Sequence, residues 1–567
     1  MEPLGSDSDV HFWPAAEIAL LLVLVAALLL LWKPSLGETF FCKIENTFSR
    51  FALHKRLAVC VMFIAVVAIR VAVLPLLHVP IPGIHDEFSY LLMGDTFAHG
   101  RLANPTHPMW MSFETFHVNW HPTYSSMYPP AQGLVLAIGQ MLGNPWIGVL
   151  LGDAAMCAAI LWMLQAWMPA RWALLGGAFA ALNLGIASYW MNSYWGGALA
   201  GAGGALVLGA LARIHRRATV GSALLLGLGV AILANSRPYE GALFCIPAGV
   251  WLIAWLAGKI KSHSSLPSRI RIVFVPLAAC VLLTVAFMGF YNWRLTGNAL
   301  LMPHVLNTRT YHSSPLFLWQ HARPPLKYNN DQFEDFYNGW EREDYQTTWK
   351  DAFDVTAEKV ARLGVEFFWP GALFLLASLP FAFRDRRMRL LVATFILVVV
   401  GVFAVIWSAP HYAAPITCVI YALLAQSVRH LRTRRWKGRA LGLALSRAVV
   451  VLLILETGVN VARGACDPMW WTCTGDSSRL AILQKLEHTP GKHLIVVRYS
   501  EDHNIHDEWV YNGADIDGSK VIWARELSKE QNDKLFAYFK DRHIWLVEPD
   551  VNNLEIKRYM PPPDSDQ

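Results

Sequence analysis

Apolar residues in this chain come in long blocks. They fall near residues 16–32, 57–77, 146–168, 172–190, 195–212, 221–235, 240–257, 272–291, 364–382, 390–408, 412–428 and 444–463. Each block is close to the ~20 residues that carry a helix across a bilayer. The pattern predicts a mainly α fold, a polytopic membrane helical bundle of about twelve spans over residues 1–463. Polar stretches separate the blocks, the longest being a first loop at 78–145 and a second at 292–363. The segment Ala131–Leu142 is apolar but too short to span, so it is expected to lie in or dip into the interface.

From residue 464 onward the period changes. A helix is expected at 477–488, strands at 492–498 and 520–524, a helix at 529–540 and a strand at 543–547. The strand runs are β-branched or aromatic. Leu535, Phe536 and Phe539 recur at helical spacing. Residues 464–567 therefore read as a small C-terminal α/β domain, without a glycine motif for cradling phosphate.

Of the 567 residues only 16% are charged while 54% are hydrophobic, well under the roughly one quarter of charged residues usual in soluble domains. The basic loops are Lys33 to Arg56, Arg213 to Arg217, Lys259 to Arg271, Arg384 to Arg389 and Arg429 to Arg439. Threading the spans in order puts them all on one side, which the bias of Lys and Arg toward the cytoplasm makes the inner one. Counting 131–142 as a crossing would break that agreement. The net charge of +6 is thus a topology signal and not a nucleic-acid footprint. The reading gives a multi-pass protein of the plasma (inner) membrane, with both long loops and the C-terminal domain extracytoplasmic. The start carries Glu2, Asp7 and Asp9 in place of a basic region, so the first block reads as a retained helix and not a signal peptide.

Glycine and alanine are dense over 172–212, as in Gly176-Gly177 and the run from Gly196 to Gly204, which predicts close helix packing. Of the eight cysteines, Cys42, Cys60, Cys157, Cys245, Cys280 and Cys418 sit in or near apolar blocks. Cys466 and Cys473 flank a short outer segment where a disulfide is permitted but not required.

Candidate chemistry concentrates in the first loop. Asp86-Glu87 follows an apolar block directly, and carboxylates at a membrane face are costly to desolvate. Asp86 can act as a general base, ligate a divalent cation, or cap the helix expected at 86–98. That helix is expected in the interface, with Tyr90, Leu91 and Met93 toward lipid. His117 and His121 are four apart, a helical spacing that suits a metal pair but lacks a third ligand. Asp86, Glu87 and His121 are the residues considered for a metal. On the same outer edge, Arg237 in Asn235-Ser236-Arg237-Pro238-Tyr239-Glu240 can clamp a phosphate, pair with Glu240, or reach lipid headgroups. Arg294 has the same alternatives. His304, Tyr311 and His312 in the second loop are weaker candidates.

Taken in order, the outward Asp86-Glu87, Tyr90 three residues on, Gly100, then Pro129-Pro130, a short helix and Gly143 resemble the C-type membrane glycosyltransferases (GT-C). The nearest branches are the protein O-mannosyltransferase and aminoarabinose transferase relatives, and the resemblance reaches to about residue 260. It implies a polyprenyl-phosphate sugar donor and an inverting attack by an acceptor hydroxyl. Asp86 is then the base with Glu87 as partner, and Arg237 and Arg294 face the leaving phosphate. Tyr90, His117, His121, Tyr128 and Glu240 are expected at the substrate. No cofactor is assigned with certainty, and a divalent cation is the candidate. The partners are the lipid donor, a glycan, lipid or protein acceptor, and the surrounding membrane lipids. One departure stands out: Met127-Tyr128 precedes the proline pair, where the aminoarabinose branch carries a basic residue, so phosphate contact must come from elsewhere. The alternative is a membrane transporter or lipid flippase of the cell envelope, which would use charges within the spans, here Arg70 and Asp153. A non-catalytic assembly protein is a third reading.

Overall fold

The computed structural model describes residues 9–195, 197–260, 270–344, 352–407, 409–464, 475–551 and 554–560. Cys466 and Cys473, with their expected disulfide, lie outside the described residues. The chain is mostly helical, with a small sheet near its C-terminus. Among the described residues seven helices are long and apolar enough to cross a membrane, or eight if the bent pair Glu38–Ala52 and Lys55–Ala72, which turns by 110°, counts as one. Several expected blocks fold as shorter pieces. The block at 172–190 becomes the 14-residue helix Ala170–Asn183. The block at 364–382 divides into Pro370–Leu375 and Leu379–Arg384, each with proline in its first turn, because proline cannot donate to the preceding helical turn.

Start signals are local where helices begin cleanly. The Asn144 side chain accepts from Trp146 N (2.9 Å) to open Pro145–Trp167. Thr219 does the same for Val220–Ser236 through Ser222 N. Gly297 ends Val275–Thr296 in the left-handed region, φ 76°, where a Cβ would be strained.

Glycines give the close packing expected. A Cβ on Gly176 would stand 2.7 Å from Leu164, and one on Gly204 2.1 Å from the Pro415 carbonyl oxygen. Helix Ala198–Arg216 therefore touches the segment Pro410–Ile416 backbone to backbone. Three of the basic loops, those at 33–56, 384–389 and 429–439, come together. There Glu45 pairs with Arg432 (2.6 Å) and Arg447 (3.0 Å), and Asp385 accepts from Gln426 (2.7 Å).

The chain after Asn183 is irregular yet buried, through Tyr189, Trp190 and Asn192. Non-helical backbone at such depth needs its polar groups satisfied by protein. Arg70 does this: it donates to the Leu77 and His78 carbonyls (2.8 and 3.0 Å) and to Asn192 Oδ1 (2.8 Å). Its charge serves the architecture, which removes it from the transporter reading.

The C-terminal unit is close to expectation. Helix Ser477–His488 is capped by Asp476 and helix Lys529–Tyr538 by Ser528. The strands Lys492–Val497, Val521–Arg525 and Arg542–Val547 are parallel, with Lys492–Val497 in the middle. A short antiparallel edge, Lys557–Arg558, adds a fourth strand that the sequence pattern did not suggest. The unit packs on both long loops. Tyr124 donates to the Asn512 carbonyl (3.0 Å), and Arg525 donates to Gln332 Oε1 (2.7 Å).

Candidate active site

Helix His85–Ala98 carries the acidic pair, and consecutive residues on it point about 100° apart. Ile84 is its N-cap, so Asp86 is free of the capping role that was open to it. Glu87 takes that role instead. Its Oε2 accepts from the Gly83 and Ile84 amides (2.8 and 3.3 Å), and its Oε1 from Tyr194 N (2.9 Å). It is fully buried. Burial pushes its carboxyl up to about 8 against the pull of the three amides. Glu87, expected as the partner of Asp86, here ties the first loop to the irregular segment at 194.

Asp86 turns the other way and keeps 23% of its side chain exposed. The Tyr128 hydroxyl donates to its Oδ1, and His117 Nε2 lies 3.8 Å from its Oδ2. Burial and the neighbouring Asp86 hold the Tyr128 phenol well above its ordinary value, so it stays a donor. Tyr128 stacks on Tyr90, ring centroids 4.3 Å apart. Tyr90 and Met93 are buried against helix Pro130–Met141, which corrects the expectation that they face lipid. Helix Pro130–Met141 is short, as expected, with Leu134, Ile138 and Met141 exposed along one side.

Arg237 closes the helix Val220–Ser236. Its guanidinium lies 4.1 Å over the ring of Tyr412, and among the described residues it makes no ion pair with a carboxylate. Glu240 contributes to its electrostatic environment without contact. Tyr90 and Tyr412 each lie within electrostatic reach of both Asp86 and Arg237. Met127, Pro129, Pro130, Asn235, Tyr291 and His304 contribute to an apolar cavity. Arg294, expected as a second phosphate ligand, is exposed on the last turn of Val275–Thr296; Tyr291 and Asn292 of that helix line the cavity in its place.

The two histidines of the spacing argument separate. His117 has φ 59° and is followed by the two-residue strand Val118–Asn119, so no helix face exists for them to share. His117 is held by Ser89 Oγ and Met127 N, both donating to its carbonyl (2.7 and 3.1 Å). His121 is exposed, its ring edge-on to Trp110 at 4.8 Å. Among the described residues no group of three His, Cys, Asp or Glu side chains is arranged around a metal position. This includes the set Asp86, Glu87 and His121.

Other residues join the site that sequence reasoning ranked low or missed. Glu341 Oε1 lies 2.7 Å from His312 Nδ1, and both His312 and Glu341 act electrostatically on His117. Burial holds His117 below the ordinary imidazole value while Asp86 pulls it up. Burial, with His312, His117 and Arg237, drives His304 down to about 4. His85 is buried beside Asp86, with Nε2 3.1 Å from the Ile505 carbonyl and Nδ1 2.8 Å from the Tyr511 hydroxyl. A carbonyl only accepts, so the proton sits on Nε2 and Tyr511 donates to Nδ1. The C-terminal domain is thereby latched to the residue preceding Asp86. Only the density of His and aromatic residues in the loops hinted at this.

No family model matches the chain, and no curated protein matches it by sequence. In backbone course it is similar to ArnT from Cupriavidus metallidurans bound to undecaprenyl phosphate, at 15% identity and TM-score 0.48, over 87% of this chain and 93% of that one. ArnT in its apo state gives 13% and 0.47, over 86% and 93%. The oligosaccharyltransferase AglB from Archaeoglobus fulgidus, in complex with an inhibitory peptide and a dolichol-phosphate, gives 11% and 0.40, over 76% of this chain. The chain spans 62% of the length of that oligosaccharyltransferase. At these identities the likeness concerns the course of the backbone, and the chemistry is read from the residues above.

Proposed function

We propose that the protein is a glycosyltransferase that moves a sugar from a polyprenyl-phosphate donor to an acceptor hydroxyl at the extracytoplasmic face of the plasma membrane. What supports this is the partly exposed Asp86, held by Tyr128 and facing His117, together with Arg237 seated on the Tyr412 ring. In the inverting reaction the acceptor oxygen bonds to the anomeric carbon and gives its proton to Asp86. The bond from that carbon to the phosphate oxygen breaks, and the lipid phosphate leaves toward Arg237, whose charge meets the charge that develops there. Tyr128 holds one oxygen of Asp86 and leaves the other toward His117 and the acceptor.

Asp86→Asn keeps the shape and removes the base. Transfer from a purified polyprenyl-phosphate sugar should fall by about 10²–10⁴-fold, with donor binding and melting temperature preserved. Transfer at the wild-type rate would reject Asp86 as base. Mass spectrometry of envelope glycans, glycolipids and secreted proteins with and without the gene identifies the sugar and the acceptor.

A further inference from the structure

A second concavity lies away from Asp86, between the second loop and the C-terminal domain. It is a crevice of about 650 Å³ at the carboxyl ends of the parallel strands Lys492–Val497 and Val521–Arg525, the edge at which open α/β sheets take ligands. One wall is Asn329 to Gln332 of the second loop, and the other is the start of helix Lys529–Tyr538.

Its chemistry is specific. Of its cations, Arg498 pairs with Glu526 and with Glu548 (3.3 Å) and Arg525 with the buried Glu508, and Lys529 lines the crevice as well. Asp331, Glu526 and Asp533 face the same crevice as Arg498, Arg525 and Lys529, so acidic and basic side chains balance along its lining and it has no excess charge of either sign for an ion. Two buried donors lack an acceptor, Arg525 Nε and Asn330 Nδ2; Arg525 is 1% exposed. The carboxylates offer acceptors in turn. Phe536 and Tyr559, ring centroids 4.9 Å apart, supply half-buried aromatic surface. A ligand that donates and accepts many hydrogen bonds, carries no charge and has an apolar C–H face fits this set.

We propose that the crevice binds neutral sugar residues of a glycan, and that this glycan is the acceptor or is attached to it. The name acceptor rests on the transferase reading; the binding of sugar does not. The crevice also lies near the reaction space. Arg525 Nη2 approaches the Glu114 carbonyl at 3.5 Å, and Glu114 is three residues from His117, at most about 10 Å of chain.

The test uses the full chain in lipid nanodiscs on an array of printed neutral and acidic glycans, with inorganic phosphate as competitor. Retention of neutral glycans is expected, undisturbed by phosphate and unchanged in Asp86→Asn. Phe536→Ala and Tyr559→Ala should each weaken it by about tenfold. Phe536 is partly in the domain core, so Tyr559→Ala carries the test if the first variant does not fold. Capture of acidic glycans alone, displacement by phosphate, no capture at all, or capture unchanged in Tyr559→Ala overturns the proposal. Failure of the transferase reading shows separately, as transfer retained in Asp86→Asn.

Discussion

Substituting Gly204 by Ala should disable the site from a distance. Gly204 lies in helix Ala198–Arg216, and an added Cβ would stand 2.1 Å from the Pro415 oxygen and 3.2 Å from the Phe244 ring. Real Cβ contacts stay at 3.0 Å or more, so the helix and the segment Pro410–Ile416 must part by about 1 Å. The obstacle is backbone, so no rotamer change relieves it. Overpacking of this kind costs about 1–3 kcal/mol. The displaced segment carries Tyr412, the ring under Arg237. A shift of about 1 Å in a positioning group can lower turnover about 10²-fold. The assay is single-turnover transfer from a polyprenyl-phosphate sugar in nanodiscs, alongside thermal melting. The control is Gly249→Ala, where a Cβ meets nothing within 4 Å; alanine there should keep activity and add about 0.5–1 kcal/mol of helix stability. If Gly204→Ala melts like wild type and turns over within about threefold of it, the coupling of this contact to Arg237 is refuted. A lower melting temperature with unchanged turnover of the folded fraction refutes the transmission through Tyr412 alone.

Three further outcomes are expected. Arg237→Gln should lower transfer by roughly tenfold to a hundredfold, the loss of about 1.5–3 kcal/mol from a charge-assisted contact, whereas the exposed Arg294→Gln should change it little; equal effects in kinetic assays would contradict the placement of the phosphate. Glu508→Gln leaves Arg525 buried without its anion, both side chains being 2% exposed or less, and should destabilise the docked C-terminal domain by about 3–5 kcal/mol, read as faster limited proteolysis between the bundle and the tail. Acidification should loosen the same docking. Burial holds His506 at about 4 and His304 is also at about 4, both below the ordinary 6.5 of the unfolded chain, so the unfolded state binds more protons between those values and stability falls as pH falls through that window. Each contributes up to about 1.4 kcal/mol per pH unit; His506→Gln should flatten the dependence of melting temperature on pH, and an unchanged slope would remove His506 as a cause.

How much of this was legible in the sequence depends on the range of the forces involved. The strands and helices of the C-terminal domain were readable to within one or two residues, because side-chain period and capping residues such as Asp476 and Ser528 act locally. Asp86 and Arg237 stood out because a charge beside an apolar block has few inexpensive places to be. Hydropathy alone could not see that the block after Arg171 ends its helix at Asn183. That break is held by Arg70, Asn192 and Glu87, from elements far apart in sequence.

Glu87 shows the limit most clearly. Adjacent carboxylates look equivalent in a sequence, yet one helical step of about 100° leaves Asp86 partly exposed and sends Glu87 into the protein. Which of the two turns outward is decided by the Tyr194 amide, 107 residues away. Tyr412 and Tyr511 are invisible for the same reason; the bond from Tyr511 to His85 spans 426 residues. A membrane site built in loops takes its general position from local cost and its identity from distant partners. The acidic pair is therefore legible as a candidate, while which of its members is buried came from segments that no local pattern connects.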